Sequence, residues 1–157
     1  MSIEAVKAYF QTQNMEGRVR EFSVSSATVE LAASALGCEG KRIAKTLSFL
    51  VEGAPLLVVA AGDARIDNGK FKAFFHTKAR MLTPEEVEQL VGHRVGGVCP
   101  FGVKEGVKTY LDVSLRRFET VFPACGSSNS AIELTLPELE QHSHAIAWVD
   151  VCKNWEE

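Results

Sequence analysis

Apolar residues recur with a helical period at the start of the chain, where Ile3, Val6 and Phe10 share one face, Ser2 offers an N-cap and Gly17 a stop. Residues 18–24 then alternate as a strand does. Ser25 or Ser26 can cap a second helix over residues 27–36, with Gly37 placed to end it. Two β-rich runs follow, residues 43–51 and 55–61, joined through Glu52, Gly53 and Ala54, a connection short enough for an antiparallel hairpin. Residues 68–76 return to helical spacing, with Phe71, Phe74 and Phe75 as the apolar side and Lys70 and Lys72 facing out.

Thr83, Pro84 and Glu86 form a capping box with proline at the first helical position, opening a helix that Gly92 closes. Strands are expected at residues 107–113, 120–124, 131–134 and 145–151, with a helical turn at 114–118 and a second capping box at Thr135 and Glu138. Hairpins mixed with helices, without regular βαβ alternation, predict an α+β fold. The expected architecture is one domain over residues 1–157, a mixed and mainly antiparallel sheet with surrounding helices. Two loops interrupt this pattern. One runs through Val95, Gly96, Gly97, Val98, Cys99, Pro100, Phe101 and Gly102, the other through Cys125, Gly126, Ser127, Ser128, Asn129 and Ser130.

A chain of 157 residues can bury enough surface to fold without disulfides or a structural metal. No stretch approaches the roughly 20 apolar residues of a membrane span, and Glu4 and Lys7 break the N-terminal segment, so a cytoplasmic location is expected. The four cysteines, Cys38, Cys99, Cys125 and Cys152, contain no Cys-x-x-Cys pair and read as reduced thiols. The net charge of −3 excludes a generic basic nucleic-acid coat, yet it is unevenly spread. Between residues 65 and 80, Arg65, Lys70, Lys72, Lys78 and Arg80 face only Asp67, whereas residues 119–157 carry seven acids against Lys153. Such segregation can turn a positive face to a polyanion, although a lysine-rich run also makes an ordinary solvated helix face.

The catalytic inventory is thin. His142 and His144 lack metal-ligand spacing and read as a solvent-facing pair, and no nucleotide-binding or nucleophile-elbow motif is present, so neither a metal nor a cofactor is expected. Cys99 and Cys125 adjoin glycine-bearing loops and could act as thiolates if His93 or another base approached them, or could simply be small buried thiols. Lys45 sets a long cation in a core strand. On pattern alone it is either a solvent-facing edge lysine or a group that binds an anion or polarises an ester carbonyl.

Several segments together give the chain a resemblance to the YbaK and prolyl-tRNA-synthetase-associated editing domain family. They are the helix ending Ala35, Leu36, Gly37; Ile43, Ala44, Lys45, Thr46, Leu47; the run ending Ala60, Ala61, Gly62, Asp63; the loop from Gly96 to Gly102; Tyr110, Leu111, Asp112; and Gly126 with Ile132, Glu133, Leu134. The resemblance implies a trans-acting aminoacyl-tRNA deacylase that hydrolyses the ester of a mischarged tRNA, most often proline tRNA carrying a small wrong amino acid. It places the catalytic machinery at Lys45 and at Gly96, Gly97, Val98, Cys99 and Pro100, whose backbone amides would position the ester carbonyl and a water.

Phe22, Ser23, Val24, Gly126, Ser127 and Ser128 would then line the substrate site, and Lys41, Arg42, Arg65, Lys70, Lys72, Lys78 and Arg80 would meet tRNA phosphates. The late loop offers serines and Ala131 where some relatives carry a histidine or an acid, so substrate-assisted hydrolysis is the chemistry implied. Aminoacyl-tRNA is the expected partner, prolyl-tRNA synthetase a second, and the expected assembly is a monomer or weak homodimer. Two other readings stand beside this one: an inactive tRNA- or synthetase-binding module, and a thiol-dependent hydrolase using Cys99 or Cys125.

Overall fold

In the computed structural model, which describes residues 2–156 with side chains from Ile3 onward, Glu52 and Gly53 both adopt left-handed backbone, φ 51° and 77°. Their two-residue turn joins β2 (Ile43–Val51) to β3 (Ala54–Ala61) in antiparallel register, from Val51 opposite Ala54 to Ala44 opposite Ala61. This hairpin is the spine of a six-stranded sheet. On one side β5 (Lys108–Asp112) pairs parallel to β3, and β9 (Ala147–Val149) parallel to β5. On the other side β6 (Thr120–Pro123) joins the first two residues of β2 in parallel, and β8 (Leu134–Thr135) lies antiparallel to β6. The expected mixed α+β sheet is thus present, with its antiparallel pairing concentrated in the hairpin and parallel joins around it.

Two short antiparallel ladders brace the sheet: β1 (Arg20–Glu21) with β7 (Ser130–Ala131), and β4 (Arg65–Ile66) with β10 (Cys152–Lys153). Helix α1 (Ser2–Thr12) packs Val6 and Phe10 into the core, where Phe10 meets Phe101 edge-on at 5.0 Å between ring centroids. Helix α3 (Asn68–Phe75), capped by Asp67, stacks Phe71 between Phe49 and Phe75. Helix α5 (Leu136–His142) opens with the capping box at Thr135 and Glu138. Among the described residues, no helix is long and apolar enough to cross a membrane.

Several boundaries depart from the sequence reading. Helix α1 stops at Thr12, short of Gly17, because Asn14 takes the left-handed turn (φ 58°) and Met15 N–H returns to Phe10 O at 2.9 Å. The proposed Ser2 cap lies outside the described side chains. The strand at residues 18–24 contracts to β1, the stretch that finds a partner in β7. Helix α2 (Val29–Leu36) is capped by Thr28, whose hydroxyl accepts from Leu31 N–H, rather than by Ser25 or Ser26. Ser26 is drawn instead to Ser128 O, to which its N–H donates at 2.6 Å.

Phe74, expected on the apolar side of α3, is 46% exposed. The helix opened by the Thr83 capping box is α4 (Pro84–Glu86), which widens into a π-turn at Val87–Val91 before Gly92 ends it at φ 100°. The last expected strand, residues 145–151, contracts to β9, because Val151 N–H leaves the sheet to bond the buried Asp112 carboxylate at 2.9 Å, and β10 begins beyond its expected end. His142 is not solvent-facing: it is buried, with Nδ1 2.9 Å from the Tyr9 hydroxyl, while His144 remains exposed.

Candidate active site

The outer edge of β2 is covered in two places with a gap between them. Strand β6 covers Ile43 and Ala44; further along, Leu50 N–H donates to Arg80 O at 2.9 Å and Leu82 N–H to Ser48 O at 3.1 Å. Backbone groups in an antiparallel pair alternate between the two sides of the strand. Since the Ser48 C=O and Leu50 N–H point outward, so do the N–H and C=O of Thr46, where no strand among the described residues meets them. The Thr46 hydroxyl is also buried and, among the described residues, has no hydrogen-bond partner. This gap forms the floor of a cleft of about 400 Å³, walled by Ser26 to Val29 and α2 on one side and by Met81, Leu82 and Val87 on another.

Lys45 lines the cleft beside Thr46 and is half-buried. Its Nζ donates to Gly62 O at 3.3 Å, and burial lowers its pKa from the ordinary lysine value, because desolvation penalises the ammonium. Gly62 holds this acceptor where two chain segments cross. A Cβ on it would sit 2.0 Å from Gly40 O, so only glycine allows the approach.

The two glycine-bearing loops meet in space. A Cβ on Gly97 would lie 2.6 Å from Ser127 N and 2.7 Å from Gly126 C, so the loops touch backbone to backbone. Gly96, at φ 95°, faces Ala27 and Ser128. Gly97 N–H closes a turn onto Arg94 O at 3.0 Å. Among the described residues, the N–H groups of Gly96 and Val98 have no protein acceptor, and both residues line the cleft. Lys45 and the glycine loop therefore share one cavity. No carboxylate, imidazole or thiol lies among the described residues that line it.

Other expected site residues fall elsewhere. Phe22, Ser23 and Val24 do not line the cleft: Phe22 exchanges hydrogen bonds with Asn129 (N–H to O, 2.8 Å; O from Nδ2, 2.9 Å), which lays this segment along the late loop, and the wall is built from Ser26 onward. Gly126, Ser127 and Ser128 line a neighbouring cavity behind the glycine loop, while Ser130 and Ala131 reach the cleft. Pro100 and Cys99 are buried behind the loop. Cys99 offers no thiolate, since burial pushes its pKa up to about 12. His93 does approach Cys99, with Nε2 3.5 Å from Sγ, but that nitrogen carries a proton donated to Phe101 O at 2.7 Å and so cannot take the thiol's, while Nδ1 is a buried imine nitrogen without a partner among the described residues. The Cys125 thiol is likewise pushed well up by burial.

The basic residues are divided. Arg42 is engaged by Thr120 and Glu133 and lies over the Phe122 ring at 4.9 Å. Lys70 is tied to Asp150 and Cys152 O at 3.1 and 3.0 Å, Arg80 to Glu86 at 3.4 Å, and Lys41 to Glu39 at 3.6 Å. Arg65, Lys72 and Lys78 are exposed. Thr46, which sequence reasoning missed as a site residue, is marked in the sequence only by a hydroxyl within a largely apolar strand run, and Ser130 was read only as part of the late loop.

Comparison with known proteins decides the family. Residues 24–141 match the model of the aminoacyl-tRNA editing domain. The chain belongs to the aminoacyl-tRNA editing domain family. It is 57% identical to the uncharacterized protein YwhH of Bacillus subtilis (strain 168), across 99% of this chain and all of that one. It is 30% identical to EbsC of Enterococcus faecalis, described as a candidate Cys-tRNA(Pro)/Cys-tRNA(Cys) deacylase, over 72% of this chain and 70% of that one. A crystal structure described as a candidate trans-editing enzyme for prolyl-tRNA synthetase superposes with a TM-score of 0.87 at 31% identity, over 97% of each chain. The editing domain also matches 22% of the proline–tRNA ligase of Lactiplantibacillus plantarum at 24% identity.

Proposed function

We propose that this editing domain is a trans-acting aminoacyl-tRNA deacylase, and that its substrate is proline tRNA carrying a small wrong amino acid. The observation that carries this reading is that Lys45 shares one cleft with Gly96 and Val98, whose N–H groups have no acceptor among the described residues, and that the described lining holds no carboxylate, imidazole or thiol. An aminoacyl ester is already activated, so orientation of water and stabilisation of the oxyanion suffice as the main contributions. Water oxygen attacks the carbonyl carbon and the carbonyl oxygen gathers charge against the two N–H groups. The carbon–oxygen ester bond then breaks, and the proton passes to the departing ribose oxygen, with the substrate's own hydroxyl relaying it.

Lys45 anchors the terminal phosphate or ribose, and the outward N–H and C=O of Thr46 pair with the aminoacyl group. The cleft, narrowed by Phe122 and floored by Ala44 and Thr46, selects small acyl groups by size, the second half of a double sieve. The match to EbsC and to the prolyl-tRNA-synthetase trans-editing structure supports the choice of proline tRNA, and a substrate of this class places the action in the cytoplasm.

The test is release of amino acid from proline tRNA charged with alanine, serine, cysteine, 2-aminobutyrate or proline, with wild type and Lys45→Ala compared. Clearance of a mischarged species by wild type alone, with prolyl-tRNA spared, is the expected result. Binding without release at stoichiometric enzyme would replace this reading with that of a tRNA-binding module.

A further inference from the structure

The cleft has a neighbour on the far side of the glycine loop. A second cavity, of about 570 Å³, is lined by Arg94, Val95, Gly97, Lys104, Ser127 and Ser128, and α1 closes its side at Ala5. Both cavities fall in the range of about 300–1,000 Å³ typical of small-molecule sites. Val95 borders both and is 63% exposed, so it forms the ridge between them. Gly96 and Val98 face the cleft side of this ridge and Gly97 the other. A ligand that crossed Val95 would occupy both cavities at once.

We propose, on the reading that the substrate is an aminoacyl-tRNA, that the second cavity seats the penultimate nucleotide of the tRNA 3′ strand while the cleft holds the terminal, aminoacylated one. The chemistry of the second cavity suits a nucleotide. Among the described residues that line it, Arg94 and Lys104 supply two cations against one acid, Glu88. Arg94 is held by a 3.6 Å contact to Glu88 with both side chains more than half exposed, a pair weak enough to exchange for a phosphate. Lys104 is fixed in place: its Nζ donates to Gln89 O at 2.7 Å and its N–H to Val91 O at 3.0 Å, at the end of the π-turn.

The apolar Val95 side chain offers a surface against which a base can lie, and the Ser128 hydroxyl, without a partner among the described residues, can meet a base edge. The touching loops at Gly97 and Ser127 fix the span between the two seats. An unstacked single strand can splay two adjacent nucleotides across such a ridge, whereas a paired stem cannot.

The experiment compares hydrolysis of a 3′-aminoacyl adenosine, which fills the cleft alone, with that of an aminoacylated CCA trinucleotide, which fills both cavities. Two variants alter the second cavity only: Arg94→Glu reverses its charge and Ala5→Trp fills it. Each is expected to raise KM at least tenfold for the trinucleotide with kcat unchanged, and to leave the adenosine ester unaffected, which also shows that the variant is folded. Equal effects on both substrates, or none on either, would overturn the proposal.

Amide spectra of the wild-type protein titrated with uncharged CCA trinucleotide decide the question independently of hydrolysis. Shifts at Arg94, Gly97 and Lys104 that Arg94→Glu abolishes support the seat, and their absence at saturating trinucleotide rejects it. A wild type that hydrolyses neither ester but shows these shifts would keep the nucleotide seat and discard the deacylase reading.

Discussion

Gly97 lies flush against the backbone of Ser127: a methyl group on its α-carbon would come within 2.6 Å of the Ser127 nitrogen. Backbone cannot swing aside as a flexible side chain can, so Gly97→Ala must part the two loops. The expected destabilisation is about 1–3 kcal/mol, the usual range for overpacking, with a fall in kcat of at least tenfold because Gly96 and Val98 move with the loop. Gly96→Ala differs in kind. Its nearest contacts, 3.4 Å to Ala27 and 3.6 Å to Ser128, are tolerable, but its φ of 95° is strained for any residue with a Cβ. Urea denaturation and single-turnover deacylation of both variants separate loss of loop contact from backbone strain. Wild-type kcat in Gly97→Ala would refute the coupling of loop position to chemistry.

Lys45→Ala is expected to lose most deacylase activity, roughly 10- to 10²-fold in kcat/KM for loss of one charge-assisted contact worth about 1.5–3 kcal/mol, with its circular dichroism unchanged. Its pH dependence carries a sign. Burial lowers the Lys45 pKa, so the cation is lost at a lower pH than in an exposed lysine. If the cation anchors substrate, kcat/KM corrected for uncatalysed hydrolysis falls as pH rises through that lowered value. Lys45→Arg, whose guanidinium stays charged, should remove this alkaline limb even where overall activity is reduced. A limb unchanged in Lys45→Arg would assign it to another group.

The parts of this architecture that were legible from sequence are those set by neighbours along the chain. The capping boxes at Thr83 and Glu86 and at Thr135 and Glu138 form as read, and Gly37 and Gly92 end their helices in the left-handed conformation. What escaped depends on partners far away in sequence. Ser26 was a sound cap for α2 by local rules, but Ser128, 102 positions on, claims its N–H, and the cap passes to Thr28. The same late loop holds Phe22 through Asn129 and so removes residues 22–24 from the cleft wall. The open edge at Thr46 could not be read either, because it exists only where β6 ends and the segment at Arg80 to Leu82 begins. Lys45 and the loop at Gly96 were legible through family resemblance, whereas their shared cavity required the fold.

A thiol mechanism makes the opposite prediction from a backbone one. Cys99 is buried with its thiol 3.6 Å from Phe101 O, and Cys125 is buried beside it in the core, so both behave as small apolar groups. The double variant Cys99→Ser, Cys125→Ser is expected to retain deacylase activity within about threefold. It should lose stability, by roughly 1–3 kcal/mol for each hydroxyl left without a good acceptor. Activity measured below the unfolding midpoint, together with insensitivity of wild type to iodoacetamide, checks this. Abolished turnover in a folded double variant would restore the thiolate reading.

Glu138 ties the start of α5 to the segment after α1. Its carboxylate accepts from Arg18 Nη1 and Nη2 at 2.7 and 3.0 Å and from Thr135 N–H at 2.9 Å. The Arg18 guanidinium, helped by the Thr135 amide, lowers its pKa from 4.5 to about 2. A carboxylate whose pKa is depressed on folding stabilises the native state above its unfolded value, and that stability is lost as pH falls. The window here runs from about pH 4.5 down to about 2. Arg18 is 43% and Glu138 29% exposed, so solvent screens the pair, and its worth at neutral pH is about 1 kcal/mol rather than what the full shift would imply. Glu138→Gln keeps an amide oxygen for the Thr135 N–H and so preserves the capping box while deleting the charge. Urea midpoints should therefore show the variant less stable than wild type at pH 7 and the two converging by pH 2. A stability gap that persisted at pH 2 would place the contribution of Glu138 in the cap and not in its ion pair with Arg18.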